Sequence, residues 1–246
     1  MSKSIKKIGI IPARFASTRF PGKPLVNIHG KSMIQRVYEQ VVQSDLDEVI
    51  VATDDQRIID HVNSFGGNVK MTSVNHLTGT DRCNEIASQY PDETVVINIQ
   101  GDEPFIHPNQ INELLKVFNE DESIEIATQC KLIEQNDIIF DSNAIKVVRD
   151  KANKAIYFSR NPIPFIRNLP PSDWSLQRKH YKHIGIYGYK KHILEKLAQQ
   201  TAGILETAES LEQLRWMENG FKIHVEETQY ETFGIDVPED LEKIVF

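Results

Sequence analysis

At 246 residues, 40% hydrophobic and 26% charged, the chain has the composition of an ordinary folded protein and the length of one large domain or a large and a small one. Its formal net charge of −7 speaks against nonspecific nucleic-acid binding, which needs a basic face. Behind the basic N-terminal residues no long apolar run follows, so neither a signal peptide nor a membrane span is expected.

The first apolar run, 8–11, predicts a buried strand. A loop follows that carries Arg14, Arg19 and Lys23 with no acid between them, together with Ser17 and Thr18. In an acidic chain such a cluster asks for an anionic partner. Guanidinium forks and backbone amides match phosphate oxygens, so a polyphosphate fits the inventory. Neither G-x-x-x-x-G-K-[ST] nor G-x-G-x-x-G follows the strand, which weakens both the P-loop ATPase and the dinucleotide-dehydrogenase readings. A solvated loop with scattered cations remains the plain alternative.

Met33, Ile34, Val37, Tyr38, Val41 and Val42 fall at helical spacing and predict a helix over 31–44, with Ser32 as its N-cap. A β-branched run predicts a strand over 48–53, then a helix over 56–65 halted at Gly66-Gly67, then a strand over 68–72. This alternation means a mainly parallel sheet with helices on both faces. A turn of small residues at 76–80 leads into a helix over 81–90. Its N-terminus and Arg82 could receive an anion or a base edge; equally, Thr78 or Thr80 could simply cap it.

The apolar strand 94–99 ends at Gln100-Gly101-Asp102-Glu103-Pro104. Ligands of open α/β sheets bind just beyond the carboxyl ends of the strands. Adjacent carboxylates there suit a hard divalent cation that keeps most of its water, unless they are only two solvated acids. Since the basic loop leaves the carboxyl end of the first strand, cations and metal would share one crevice.

A helix is expected over 108–118, with Pro108 in its first turn, and strands over 125–132, 144–149 and 155–159 that make the sheet partly antiparallel. Asn161-Pro162-Ile163-Pro164 forces an extended segment flanked by Arg160 and Arg167, and 168–178 predicts a mobile polar loop. The run 183–189 alternates as a strand, with His183, Gly185, Tyr187 and Tyr189 on one face. That face could floor a sugar pocket, although a half-buried strand with satisfied rings is the simpler reading. Helices are expected over 191–200 and 205–218 and a strand over 222–227; Asp236 then stands as N-terminal cap to a last helix starting at Pro238. Cys83 and Cys130 belong to no metal-ligand cluster and predict reduced, structural thiols in a cytoplasmic protein. No repeat or disordered linker occurs, so any second domain must be an excursion within one fold.

Taken together, several segments resemble one family, the 3-deoxy-manno-octulosonate (Kdo) cytidylyltransferases of bacterial lipopolysaccharide synthesis. They are the loop from Ile11 to Leu25, Val51-Ala52-Thr53-Asp54, Gly79-Thr80-Asp81-Arg82, Gln100-Gly101-Asp102-Glu103-Pro104, Tyr157-Phe158-Ser159-Arg160, the His183–Tyr189 strand, Leu211-Glu212-Gln213-Leu214-Arg215 and Asp236-Val237-Pro238-Glu239-Asp240-Leu241. The basic loop is shared with other nucleotidyltransferases; His-x-Gly-x-Tyr-x-Tyr followed by Leu-Glu-Gln-Leu-Arg is more specific. Departures are Asp81 where glutamate is common, Ile184 where leucine is common, and a variable 168–179 loop that leaves closure over a substrate open.

The resemblance implies a Rossmann-like nucleotidyltransferase with a mixed, mainly parallel sheet: one domain over 1–246, with a small sheet excursion at about 130–190 that builds a homodimer interface. It implies transfer of CMP from CTP to Kdo with magnesium. Read onto this sequence, Arg14, Ser17, Arg19 and Lys23 would hold the triphosphate, and Pro12, Ala13, Arg82 and Gln100 the cytidine. Asp102 and Asp236 would bind magnesium, and Arg160, His183, Tyr187, Glu212 and Gln213 would bind Kdo. Arg14 and Lys23 would be felt mainly in kcat, because they offset charge on the departing pyrophosphate.

Overall fold

A computed structural model describes residues 5–16, 20–231 and 233–244. In chain order the regular elements are β1 (Lys7–Ala13), β2 (Asn27–Ile28), β3 (Lys31–Ser32), α1 (Met33–Val41), β4 (Glu48–Thr53), α2 (Gln56–Ser64), β5 (Val69–Met71), α3 (Gly79–Ala87), β6 (Val95–Asn98) and α4 (Pro108–Glu120). Next come β7 (Ile126–Leu132), α5 (Asn136–Phe140), β8 (Lys146–Arg149), β9 (Ala155–Ser159), β10 (Tyr181–Lys190), α6 (Lys191–Ala198), α7 (Ile204–Glu209), α8 (Glu212–Glu218) and β11 (His224–Glu227). The expected α/β alternation is present, with a mainly parallel sheet.

The chain divides into two compact units, one of residues 1–116, 188–198 and 232–246, the other of 117–187 and 199–231. In the first, β1 lies between β4 and β6 and parallel to both, and β5 continues the parallel order beyond β4. The strands carry β-branched side chains that are inaccessible to solvent on both faces: Ile8, Ile10, Ile11, Ile50, Val51, Val96 and Ile97. Helices on both faces explain such continuous apolar runs. Ser32 caps α1, its hydroxyl accepting from the Gln35 N–H at 3.2 Å.

In the second unit β11 runs parallel to β7, whereas β8 is antiparallel to both β9 and β10. The partly antiparallel character read from the sequence is therefore found; residues 130–187 of the expected excursion lie in this unit, which also takes in α7, α8 and β11.

Four local expectations are corrected. Helix α3 starts at Gly79 because Thr78 caps it, sharing reciprocal hydrogen bonds with Asp81. The helix expected over 205–218 is two, because Ser210 adopts a left-handed backbone (φ 52°) between α7 and α8. The 168–178 stretch is not an open loop: two 3-10 turns wrap Trp174, 3% exposed, whose ring stacks on His180 at 5.5 Å. Finally, Asp236 does not cap the terminal turn, a 3-10 segment (Pro238–Lys243). The Asp240 carboxylate does so, accepting from the Asp236 and Val237 N–H groups at 2.9 and 3.1 Å. The strands β2 and β3 and the helix α5 were too short to announce themselves by period.

Candidate active site

Parallel strands bring their carboxyl ends to one edge, so the residues after β1, β4 and β6 gather there without further design. Ala13 pairs with Thr53 across β1 and β4, and Ile10 with Asn98 across β1 and β6. Pro12, Ala13 and Arg14 from the first strand end meet Gln100, Gly101 and Asp102 from the sixth. With Lys23 and Pro24 they line one open cleft. Gly101 is required by closeness, since a Cβ there would stand 2.7 Å from the Pro12 carbonyl oxygen.

Lys23 enters the cleft from a 3-10 turn (Lys23–Leu25) that follows Gly22, whose φ of 72° suits glycine. The Gly22 N–H donates to the Phe15 carbonyl at 3.0 Å and so ties the end of the basic loop to its beginning. The Lys23 ammonium then donates to Asp102 Oδ2 at 2.6 Å and lies 3.5 Å from Asp236 Oδ1. Asp236 arrives from far along the chain by three devices. The Ile235 N–H donates to the Asp102 carbonyl at 3.0 Å; the Ile235 side chain is fully buried with Phe20, Ile28 and Met33; and Asp240 fixes the backbone that follows.

Arg14 is exposed beside this pair and has no partner among the described residues. Ser17 and Arg19 lie outside the described residues. Arg82 is 1% exposed, its guanidinium donating to Asp54 at 2.7 Å and to the Thr72 hydroxyl. Its charge is thus committed inside the protein rather than solvated, and Asp54 is a partner that sequence reasoning did not assign. The signal was Asp54 at the carboxyl end of β4, on the edge where Arg82 begins a helix.

The remaining candidates belong to the second unit. On β10, His183 and Tyr187 share a face, as the alternation predicted, with ring centroids 5.4 Å apart. The Phe158 ring meets His183 edge-on at 4.9 Å and the Trp216 ring meets Tyr187 edge-on at 5.2 Å. Burial lowers the His183 pKa to about 3, so the ring is neutral. Burial, with the Glu212 carboxylate nearby, raises the Tyr187 phenol well above its ordinary value. Glu212 and Gln213 open α8, directly after the break at Ser210, and the buried Gln213 Nε2 has no hydrogen-bond partner among the described residues. Arg160 is held by backbone oxygens: Nε donates to Glu209 at 2.6 Å, one Nη to Ser142 at 3.0 Å and the other to Ser210 at 3.4 Å. A guanidinium has five N–H donors, so two remain. Glu209, which also binds the Ser159 hydroxyl at 2.7 Å and the Arg160 N–H at 2.9 Å, is a support that the sequence reading passed over. The Arg215 of the Leu-Glu-Gln-Leu-Arg run is structural, paired twice with Glu206 at 2.6 and 2.7 Å.

The cytidylyltransferase family model matches residues 8–244. A 3-deoxy-manno-octulosonate cytidylyltransferase of Parabacteroides distasonis is 53% identical, over 97% of this chain and 96% of that protein. The chain belongs to the 3-deoxy-manno-octulosonate cytidylyltransferase family. A member from Cytophaga hutchinsonii is 48% identical over 99% and 98% of the two chains. A solved CMP:2-keto-3-deoxy-manno-octonic acid synthetase complexed with CTP superposes with a TM-score of 0.89 at 41% identity, covering 97% of this chain and 96% of that one. The family's nucleotidyltransferase fold is thus the fold of this chain.

Two acids of the family motifs, Asp102 and Asp236, converge here on one cation, the Lys23 ammonium. That convergence tests whether the site suits magnesium. A hard dication accepts one or two carboxylates and fills its remaining positions with water and substrate phosphates. Two carboxylate oxygens directed at a single positive charge meet that requirement.

Proposed function

We propose that this protein transfers CMP from CTP to the anomeric hydroxyl of 3-deoxy-D-manno-octulosonate, giving CMP-Kdo and pyrophosphate for lipopolysaccharide synthesis. The observation that carries the reading is the grouping of Arg14, Lys23, Asp102 and Asp236 at the carboxyl edge of the parallel sheet, in a member of a family named for this reaction. Arg14, Ser17, Arg19 and Lys23 are assigned to the triphosphate. Pro12, Ala13 and Gln100 are assigned to the cytidine, with Arg82 behind them. Arg160, His183, Tyr187, Glu212 and Gln213 are assigned to the sugar acid.

In the reaction the anomeric oxygen forms a bond to the α-phosphorus and loses its proton, while the bond from that phosphorus to the bridging oxygen of pyrophosphate breaks. Little covalent work falls to the protein; positioning and charge neutralisation carry the catalysis. Lys23 and Arg14 offset negative charge on the departing pyrophosphate. Magnesium, held by Asp102 and Asp236, would supply further neutralisation of the phosphate oxygens when bound. The two buried cysteines, Cys83 and Cys130, are in no disulfide, in accord with residence in the reducing cytoplasm beside the CTP pool. No helix among the described residues is long and apolar enough to cross a membrane. The family's homodimer would use the second unit, where Ile156 on β9 is 59% exposed.

Pyrophosphate release tests the reading: CTP, magnesium and Kdo together should release it, and ATP or UTP in place of CTP should not. Release with CTP and sialic acid but not Kdo would keep the reaction and replace the substrate. No release with any pair would overturn the proposal.

A further inference from the structure

The Thr128 hydroxyl, fully buried on β7, lies 2.7 Å from the Ile186 carbonyl, 3.2 Å from the Ile184 carbonyl and 3.0 Å from His183 Nε2, with the Tyr187 phenol beside it as a further polar neighbour. Carbonyl oxygens only accept, and a hydroxyl has one proton to give. Two oxygens 2.7 Å apart need a proton between them, so the Thr128 proton is used on Ile186. What Thr128 turns toward His183 is therefore a lone pair, and Nε2 must carry the hydrogen. The ring is neutral, held so by burial and by the flanking Phe158 and Tyr187 rings. A neutral imidazole protonated at Nε2 is an acceptor at Nδ1. No described residue forms a hydrogen bond with Nδ1.

We infer that Thr128 is a positioning residue: it fixes His183 as the Nε2–H tautomer, so that the ring offers Nδ1 as hydrogen-bond acceptor to a hydroxyl of the acidic sugar. The sugar half of this inference rests on the proposed function; the tautomer half does not. An acceptor nitrogen cannot take a carboxylate, so His183 reads a hydroxyl, not the acid group that makes the substrate anionic. The other tautomer would present N–H at Nδ1, to which a sugar hydroxyl could only accept; the hydroxyl proton would then have to find a different partner in the site, and the bond to His183 would run in the opposite direction.

The test uses the full-length protein labelled with 15N-histidine, with long-range proton–nitrogen correlation in the absence of sugar and with His183→Gln to assign the signal. The expected spectrum shows His183 protonated at Nε2 and bare at Nδ1. Thr128→Val, equal in shape but without the hydroxyl, should release the lock and populate the Nδ1–H form, and Thr128→Ser should restore the original pattern. In steady-state turnover Thr128→Val should raise KM for Kdo about tenfold and leave KM for CTP within twofold, with Thr128→Ser close to the unaltered enzyme. Should Thr128→Val fold poorly by circular dichroism, the unaltered and Thr128→Ser spectra decide the tautomer on their own. An Nδ1–H ring in the unaltered protein, or an unchanged tautomer in well-folded Thr128→Val, overturns the role of Thr128. A switched tautomer with an unmoved KM for Kdo overturns the sugar contact. Absence of all turnover with CTP and Kdo in the unaltered enzyme would instead strike the proposed reaction, and leaves the tautomer measurement standing.

Discussion

Lys23 donates to Asp102 at 2.6 Å, and the same ammonium faces Asp236 at 3.5 Å, so one lysine neutralises two carboxylates that lie far apart in the chain. On the proposed function, the lysine and a divalent cation would compete for the same oxygens until the phosphates of CTP drew the ammonium away. Lys23→Met should accordingly bind Mn²⁺ more tightly than the unaltered protein when no nucleotide is present, by titration calorimetry. It should also lower kcat by about 100-fold, the typical loss when one charge-stabilising donor is removed. An unchanged kcat with only KM for CTP raised would remove Lys23 from the transition state.

Asp240 is assigned no binding role of its own, yet its carboxylate accepts from the Asp236 and Val237 N–H groups and so holds the backbone that presents Asp236. Asp240→Ala should cost about 1 kcal/mol of stability, the usual loss of a cap. It should also shift the magnesium dependence of turnover to higher concentrations, whereas Asp240→Asn, which keeps an acceptor oxygen, should shift it less.

Gly101→Ala places a methyl 2.7 Å from the Pro12 carbonyl, where neither strand end can yield cheaply. Urea unfolding should show a loss of about 1–3 kcal/mol, the range of overpacked cores. KM for CTP should rise as well, because Pro12 and Gln100 are displaced together.

His183 ties stability to pH. Its folded pKa is about 3, below the unfolded value of about 6.5, so between these limits the unfolded chain binds a proton that the native state refuses. Above pH 6.5 the effect is absent; as pH falls through that value stability declines, by up to about 1.4 kcal/mol per pH unit. His183→Asn should flatten the slope between pH 7 and pH 5 relative to the unaltered protein in urea titrations. Parallel slopes would show that the ring gains its proton without unfolding.

Arg82→Met leaves Asp54 without its buried cation. Removing one member of such a pair costs about 3 kcal/mol or more, and thermal unfolding should show it even if CTP still binds.

What the sequence disclosed follows from locality. The Ser32 cap, the parallel strands and the placement of Arg14, Gln100 and Asp102 at one edge need only period, capping chemistry and the rule that parallel strands share their ends. Asp236 was different: beside Pro238 its local sequence has the look of a helix cap, its pairing with Asp102 came from the family resemblance alone, and the buried Ile235 with its hydrogen bond to Asp102 is the physical reason it sits there. Arg82 read as a receiver for an anion or a base edge, and its acid partner stayed hidden because it lies 28 residues earlier. Trp174 organises a stretch that its polar neighbours made seem unstructured, and that one large aromatic was the available sign. The Ser210 break was invisible to periodicity, for the apolar positions keep their spacing straight through it.

That break carries a lesson for anyone redesigning this protein. A helix leaves its last carbonyls without intrahelical partners, and here the Glu209 and Ser210 oxygens are taken by Arg160. Smoothing 204–218 into one ideal helix would return those oxygens to the backbone ladder and satisfy any score that rewards regularity. It would also leave the guanidinium with only its Ser142 contact: what resembles a flaw in the helix is the socket for a side chain 50 residues upstream.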